Sequence, residues 1–294
     1  MTDPGSTLKR SAPAALVFIT AIWGFTFVVV RDAVAVYPVF LFLALRFSLG
    51  AAVVLAIFPR SALKLSRRDL LGAAVMGAAL FSGYALQTEG LRFTTAARSG
   101  FITGLYVIFT PLLETSLVRR LPHRLVLLGA CCAAGGLWLL SGTGNSGAMN
   151  LGDVLTVGCA FMYAAHILIT AHMSRRADVR GLVVVQLAVV ALLSWIFAAP
   201  NLHLLFPVPR AAIKGILYTA FLATSLAYFV QTAFQRYVSA SQAAIIFTME
   251  PVFSGIFAVM IGGESLGWPA LCGGAMILSG MFLGQWPDLR RRRA

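Results

Sequence analysis

Charged residues are scarce in this 294-residue chain, at 11% of positions, and acidic ones scarcer still, with 10 Asp and Glu against 23 Lys and Arg. A water-soluble domain carries about 25% charged residues. A chain that is 59% hydrophobic with a mean hydropathy of +0.86 cannot keep its surface in water, which excludes an ordinary soluble enzyme. Lysine is confined to Lys9, Lys64 and Lys214. No G-x-x-x-x-G-K-[ST] loop is present, so nothing in the chain draws on ATP. Neither an H-E-x-x-H metal helix nor a G-x-S-x-G nucleophile elbow occurs. Cys131, Cys132, Cys159 and Cys272 lie in apolar stretches without C-x-x-C spacing or a neighbouring His cluster. They read as small packing residues, not as a zinc site or a disulfide framework. His123, His166, His172 and His203 pair with no obvious nucleophile. No metal and no cofactor is expected.

What the chain has is long apolar runs. Runs bounded by charges or turn residues predict ten transmembrane helices, near 11–30, 37–58, 70–91, 97–117, 124–141, 151–172, 181–199, 211–235, 240–262 and 267–286. The first run is too long for a signal-peptide core and reads as an uncleaved span. Cations mark the orientation. Lys9, Arg10, Arg60, Lys64, Arg67, Arg68, Arg119, Arg120, Arg124, Arg175, Arg176, Arg180, Arg236 and Arg290 to Arg293 fall on one side, 17 in all; Arg31, Arg92, Arg98, Arg210 and Lys214 fall on the other. That bias predicts an even number of spans with both termini in the cytoplasm. The net charge of +13 therefore belongs to membrane topology, and no nucleic-acid partner is expected. The basic tail, 287–294, is expected to lie against anionic lipid headgroups.

The chain also repeats itself. Tyr84-Ala-Leu-Gln87-Thr88 returns 144 residues later as Tyr228-Phe-Val-Gln231-Thr232, and Arg92-Phe93 as Arg236-Tyr237. Gly129 and Gly136 match Gly273 and Gly280 at the same offset, whereas Pro111 matches Pro251 at 140. Two halves follow, 11–143 and 150–286, joined through Ser141 to Asn150. Each holds five spans. Five is odd, so the second half must enter from the opposite side. The fold expected is an all-α polytopic membrane protein built of two inverted five-helix repeats. Secondary transporters are built this way, with the solute bound near the midplane where the halves meet.

Trp23-Gly24, the intramembrane Arg46, Glu250-Pro251-Val252-Phe253, Gly263-Glu264 and the glycine-rich last helix Gly273-Gly274-Ala-Met-Ile-Leu-Ser-Gly280 carry a resemblance. In this order the chain resembles the drug/metabolite transporter superfamily, in its ten-helix EamA-type branch, over nearly its whole length. The resemblance implies an exporter of small metabolites, similar to bacterial exporters of aromatic and other amino acids, in the bacterial inner membrane. The first half departs from the pattern, with Thr110 set against Glu250 and Arg120 against Glu264.

Several side chains are candidates for the solute site. Arg46 costs about 2.5 to 3.5 kcal/mol to insert in hydrocarbon; it reads as a contact for a solute carboxylate, or as a snorkelling or capping residue. Glu250 reads as a proton-coupling or ammonium-binding carboxylate, or as a partner for backbone groups freed by Pro251. Pro111 and Pro251 are candidate kinks at gates. Trp23 with Phe27, Tyr84 with Gln87, Tyr106 with Thr110, Tyr163 with His166, and Tyr228 with Gln231 share helix faces at three- or four-residue spacing and suggest an aromatic, hydrogen-bonding cavity. Gly100-x-x-x-Gly104 and Gly280-x-x-x-Gly284 read as close-packing motifs. The expectation is a monomeric transporter of small molecules, amino acids foremost. A transporter of anionic sugar phosphates or drugs with the same fold, and an intramembrane lipid-modifying enzyme, stand as alternatives.

Overall fold

A computed structural model describes residues 4–117, 123–141 and 149–290. Arg119, Arg120, most of the connection between the halves and Arg291 to Arg293 lie outside these. Among the described residues the chain is helical throughout, with no strand. Hydrocarbon offers backbone groups no hydrogen bonds, so a spanning segment must satisfy them within itself, and only a helix does so alone. The helices are α1 Pro4–Val34, α2 Val39–Ile57, α3 Arg67–Gly90, α4 Ala96–Thr103, α5 Tyr106–Leu117, α6 Arg124–Ser141, α7 Leu151–Arg176, α8 Val179–Ala198, α9 Arg210–Tyr218, α10 Ala227–Gln235, α11 Ala240–Phe247, α12 Met249–Met260 and α13 Trp268–Arg290. A π-helical stretch, Thr219–Leu226, joins α9 to α10.

Among the described residues eight segments are long and apolar enough to cross a membrane, and two shorter apolar helices, Leu127–Gly136 and Trp268–Leu283, bring the total to ten. The protein is a multi-pass membrane protein. Among the described residues, three spans are interrupted within their length. The fourth is α4 with α5, broken at Gly104 and Leu105; the ninth is α11 with α12, broken at Thr248; the eighth is α9, the π-helical stretch and α10. The ends are capped where the chain enters polar surroundings. Ser66 accepts from the Asp69 amide at the start of α3 (3.1 Å), and Asn150 with Asp153 forms a reciprocal capping box on α7.

Packing between the halves has twofold pseudosymmetry. The first and third spans pack on the ninth and eighth spans and on the seventh, and each such contact has its counterpart when the halves are exchanged. The fifth and tenth spans, α6 and α13, pair with each other across the axis. They approach so closely because glycine faces backbone. A Cβ on Gly136 would stand 2.6 Å from the Gly273 carbonyl and 2.9 Å from the Ile277 nitrogen; Gly280 abuts Gly129 and Ala133 in the same way. The matched glycines are thus the crossing point itself.

The two proline helices, α5 and α12, are counterparts, but their prolines are not in register. α4 and α11 each have 8 residues, and α5 and α12 each have 12. The repeat therefore keeps a spacing of 143 or 144 through both spans. Pro111 is the sixth residue of α5 and Pro251 the third of α12, so the 140-residue match in sequence pairs two different turns. By the same spacing Glu250 lies opposite Tyr106 or Val107, not Thr110.

Candidate functional site

Between the halves lies a cavity of about 40 Å³. It is lined by Trp23 and Thr26 of α1, Leu80, Tyr84 and Gln87 of α3, Tyr106 of α5, Tyr163, His166 and Ile167 of α7, Tyr228 and Gln231 of α10, Phe247 of α11 and Glu250 of α12. Such a volume holds a few water molecules at most. Hydrogen bonds and ion pairs join neighbouring elements at both ends of the bundle. At one end, Arg31 donates to Glu264 (2.7 Å), whose carboxylate also accepts from the amides of Ala96 (2.7 Å) and Ala97 (3.1 Å) at the start of α4. Gly263 precedes it with φ +66°, a left-handed turn that glycine enters without strain. Beside it the buried Asp153 pairs with Arg98 and accepts from Thr94 (3.0 Å). At the other end Arg175 donates to the carbonyls of Arg236 (3.4 Å) and Val238 (2.8 Å), and Arg176 pairs with Asp69 (3.0 Å).

Eight of the nine binding candidates from the sequence line this cavity, together with Glu250. Tyr84 and Tyr228, 144 positions apart, meet hydroxyl to hydroxyl at 2.8 Å. Residues beside a twofold axis touch their own mates, and the axis passes here. Tyr106 and Glu250, again 144 apart, meet at 3.0 Å. The Tyr106 hydroxyl also lies 2.7 Å from the carbonyl of Phe247. Pro251 has no N–H to give that carbonyl, four residues back, so the freed group is satisfied by Tyr106 and not by Glu250.

Arg46 stands outside the lining but one bond away from it. It is 1% exposed, donates to the Thr224 hydroxyl (2.9 Å) and to Tyr84 (3.0 Å), and lies 4.5 Å over the Tyr84 ring. It is neither a snorkelling residue nor a cap. No carboxylate stands within ion-pair distance of it among the described residues. Its position depends on the π-helical stretch, which presents Thr224 to Arg46, the Ala223 carbonyl to the Trp23 indole (3.0 Å) and Ser225 to the Gly50 carbonyl (3.0 Å). Tyr84 accepts from Arg46 and Tyr228, which fills both lone pairs and leaves its own hydrogen to offer.

On the acceptor side, the Oε1 atom of Gln231 is buried without a hydrogen-bond partner, while its amide nitrogen donates to Gln235 (3.1 Å). Gln87 is bonded at both ends of its amide, donating to Thr103 (3.1 Å) and accepting from Tyr163 (3.3 Å). His166 is bonded to Gln186 at 3.0 Å. Two face partners do not reach the cavity: Thr110 turns its hydroxyl back onto the Tyr106 carbonyl (2.7 Å), and Phe27 is packed in the core. Thr26, Leu80, Ile167 and Phe247 line the cavity without having been singled out in the sequence. Leu and Ile abound in every span, and only a repeat-register comparison, which sets Thr26 against Thr170 and Phe247 against Thr103, could have drawn attention to two of them.

The model of the EamA-like transporter family matches twice, over residues 11–142 and 150–284. The chain belongs to the EamA-like transporter family. An uncharacterized transporter of Archaeoglobus fulgidus is 32% identical over 255 residues, covering 87% of this chain and 79% of its own. A solved crystal structure at 18% identity superposes with a TM-score of 0.69 over 96% of this chain and 98% of that one, which shows the fold alone. Membership in the EamA-like family makes the protein a membrane transporter.

Proposed function

We propose that the protein exports small zwitterionic metabolites, amino acids foremost, across a bacterial inner membrane, with both termini cytoplasmic and one chain as the working unit. The observation that carries this reading is the polarity of the cavity. It combines a buried guanidinium without a carboxylate, which reaches the cavity through the Tyr84 phenol, with two acceptors on lining residues, the Glu250 carboxylate and the unpartnered Gln231 oxygen. A carboxylate suits the first and an ammonium the second. The aromatic walls from Trp23, Tyr163, Tyr228 and Phe247 suit an apolar side chain. A sugar phosphate would ask for several cavity cations, and Arg46 is the one near the lining among the described residues.

The test is uptake of labelled amino acids into liposomes holding only the purified protein, with and without a pH gradient. Arg46→Gln is expected to lower uptake at least tenfold while leaving the melting temperature within a few degrees. Absence of flux for every amino acid by folded protein overturns the solute class.

A further inference from the structure

The end of the bundle carrying Arg175 and Arg236 has a second niche, about 430 Å³ in volume, between the α2–α3 connection and the start of α8. Arg60, Lys64 and Arg180 line it over a floor that includes Phe58. None of the three cations has a carboxylate partner among the described residues. The acid at hand, Asp178, accepts from the Arg180 amide at 2.9 Å as the cap of α8, so its carboxylate is turned to the backbone. Arg180 lies over the Phe58 ring, 5.4 Å from its centroid, which holds the guanidinium in place without neutralising it.

The pseudosymmetry supplies an internal comparison. Exchange of the halves carries this niche to the opposite end, where Val34, Val36 and Asn201, the counterparts of Asp178, Arg180 and Ile57, border a niche of about 500 Å³. There the charges cancel, because Arg92 pairs with Glu89. The fold therefore makes two such niches, and only the one on the basic face has uncompensated cations. Ile57 (63% exposed) and Leu63 (83% exposed) flank it as apolar side chains at the bundle's rim.

We propose that this niche is a binding site for a phosphate group, either that of an anionic phospholipid in the adjoining leaflet or free phosphate. Three cations converge on a concave site, and the exposed Ile57 and Leu63 offer an acyl chain a surface beside it. Each cation near a membrane surface contributes about a fivefold factor in affinity for anionic lipid.

The full chain in phosphatidylcholine nanodiscs is melted while phosphatidylglycerol is introduced stepwise, and in a second arm while inorganic phosphate is titrated. Bound lipid is counted by native mass spectrometry. Wild-type protein is expected to retain phosphatidylglycerol with an affinity that Arg60→Gln with Lys64→Gln and Arg180→Gln lowers on the order of a hundredfold. Arg67→Gln with Arg68→Gln, two cations on the same face outside the niche, removes surface charge only and is expected to lower retention much less than the niche variant does. Should the triple variant not fold, the single Lys64→Gln still carries about a fivefold loss. A stabilisation by inorganic phosphate that the same variants abolish assigns the site to free phosphate. Equal retention of lipid and equal response to phosphate in wild-type and variant proteins overturns the proposal.

Discussion

The Tyr106 hydroxyl meets two acceptors, the Phe247 carbonyl and Glu250. Tyr106→Phe leaves the carbonyl that Pro251 has already deprived of its helical partner buried and unbonded, which costs about 1 to 3 kcal/mol. Pro251→Ala restores an N–H four residues on. The cost of Tyr106→Phe is therefore expected to shrink by about 1 kcal/mol in the Pro251→Ala background, read from thermal melts of the four proteins. Equal costs in both backgrounds would refute the pairing. The motif Tyr84, Gln87 and its mate Tyr228, Gln231 could be read from the sequence because it recurs intact and because phenols and amides are rare in hydrocarbon. Thr224 and Gln186 could not. Each matters only through what it touches, Arg46 and His166, and both partners lie on other spans. The missing partner of Arg46 is likewise a fact of packing: the sequence marks a buried cation but not whether a carboxylate waits beside it.

At the scale of helices, the ten apolar runs predict the spans well because hydrocarbon thickness and backbone satisfaction leave a chain of this composition little choice. The breaks within spans are not written in the apolar pattern, since both fragments of a broken span are equally hydrophobic. Pro111 and Pro251 point toward the right helices. Yet the breaks at Gly104 to Leu105 and at Thr248 lie in the turns before the prolines, and their common register comes from the tertiary match of α4 with α11. The α6–α13 crossing was more legible, as glycines at matched positions. There the geometry makes a sharp expectation. A methyl on Gly136 meets the Gly273 carbonyl and the Ile277 nitrogen, which are backbone and cannot swing aside. Gly136→Ala is expected to cost about 1 to 3 kcal/mol by overpacking, a drop of several degrees in melting temperature. Gly267→Ala, whose nearest neighbour would be Pro269 at 3.8 Å, serves as the control and is expected to melt like wild type. Equal melting of both variants would show that the two helices are free to part.

For the whole molecule, inverted repeats imply that the two ends close by equivalent elements, the start of α4 at one and the start of α11 at the other. The ends are nonetheless held differently. Two carboxylates, Glu264 and Asp153, grip the first turn of α4 and its flanks through Arg31, Arg98, two backbone amides and Thr94. The start of α11 is held by Arg175 on the carbonyls of Arg236 and Val238. A buried ion pair is costly to halve, because the abandoned charge stays in a poor solvent. Asp153→Asn should thus weaken one closure selectively, and opening at that end should become more frequent by about tenfold for each 1.4 kcal/mol lost. The readout is the labelling of a cysteine placed at Thr26, which lines the cavity, by a membrane-impermeant maleimide, in a variant whose four native cysteines are replaced by alanine. Added to the side bearing Glu264, the reagent is expected to react at least severalfold faster in Asp153→Asn than in its parent. From the side bearing Arg175 the rate is expected to fall or stay level, because alternating access lets only one end open at a time. Faster labelling from both sides would mean that the substitution loosens the bundle as a whole, and Asp153 would then be a packing residue of the fold and not part of a gate.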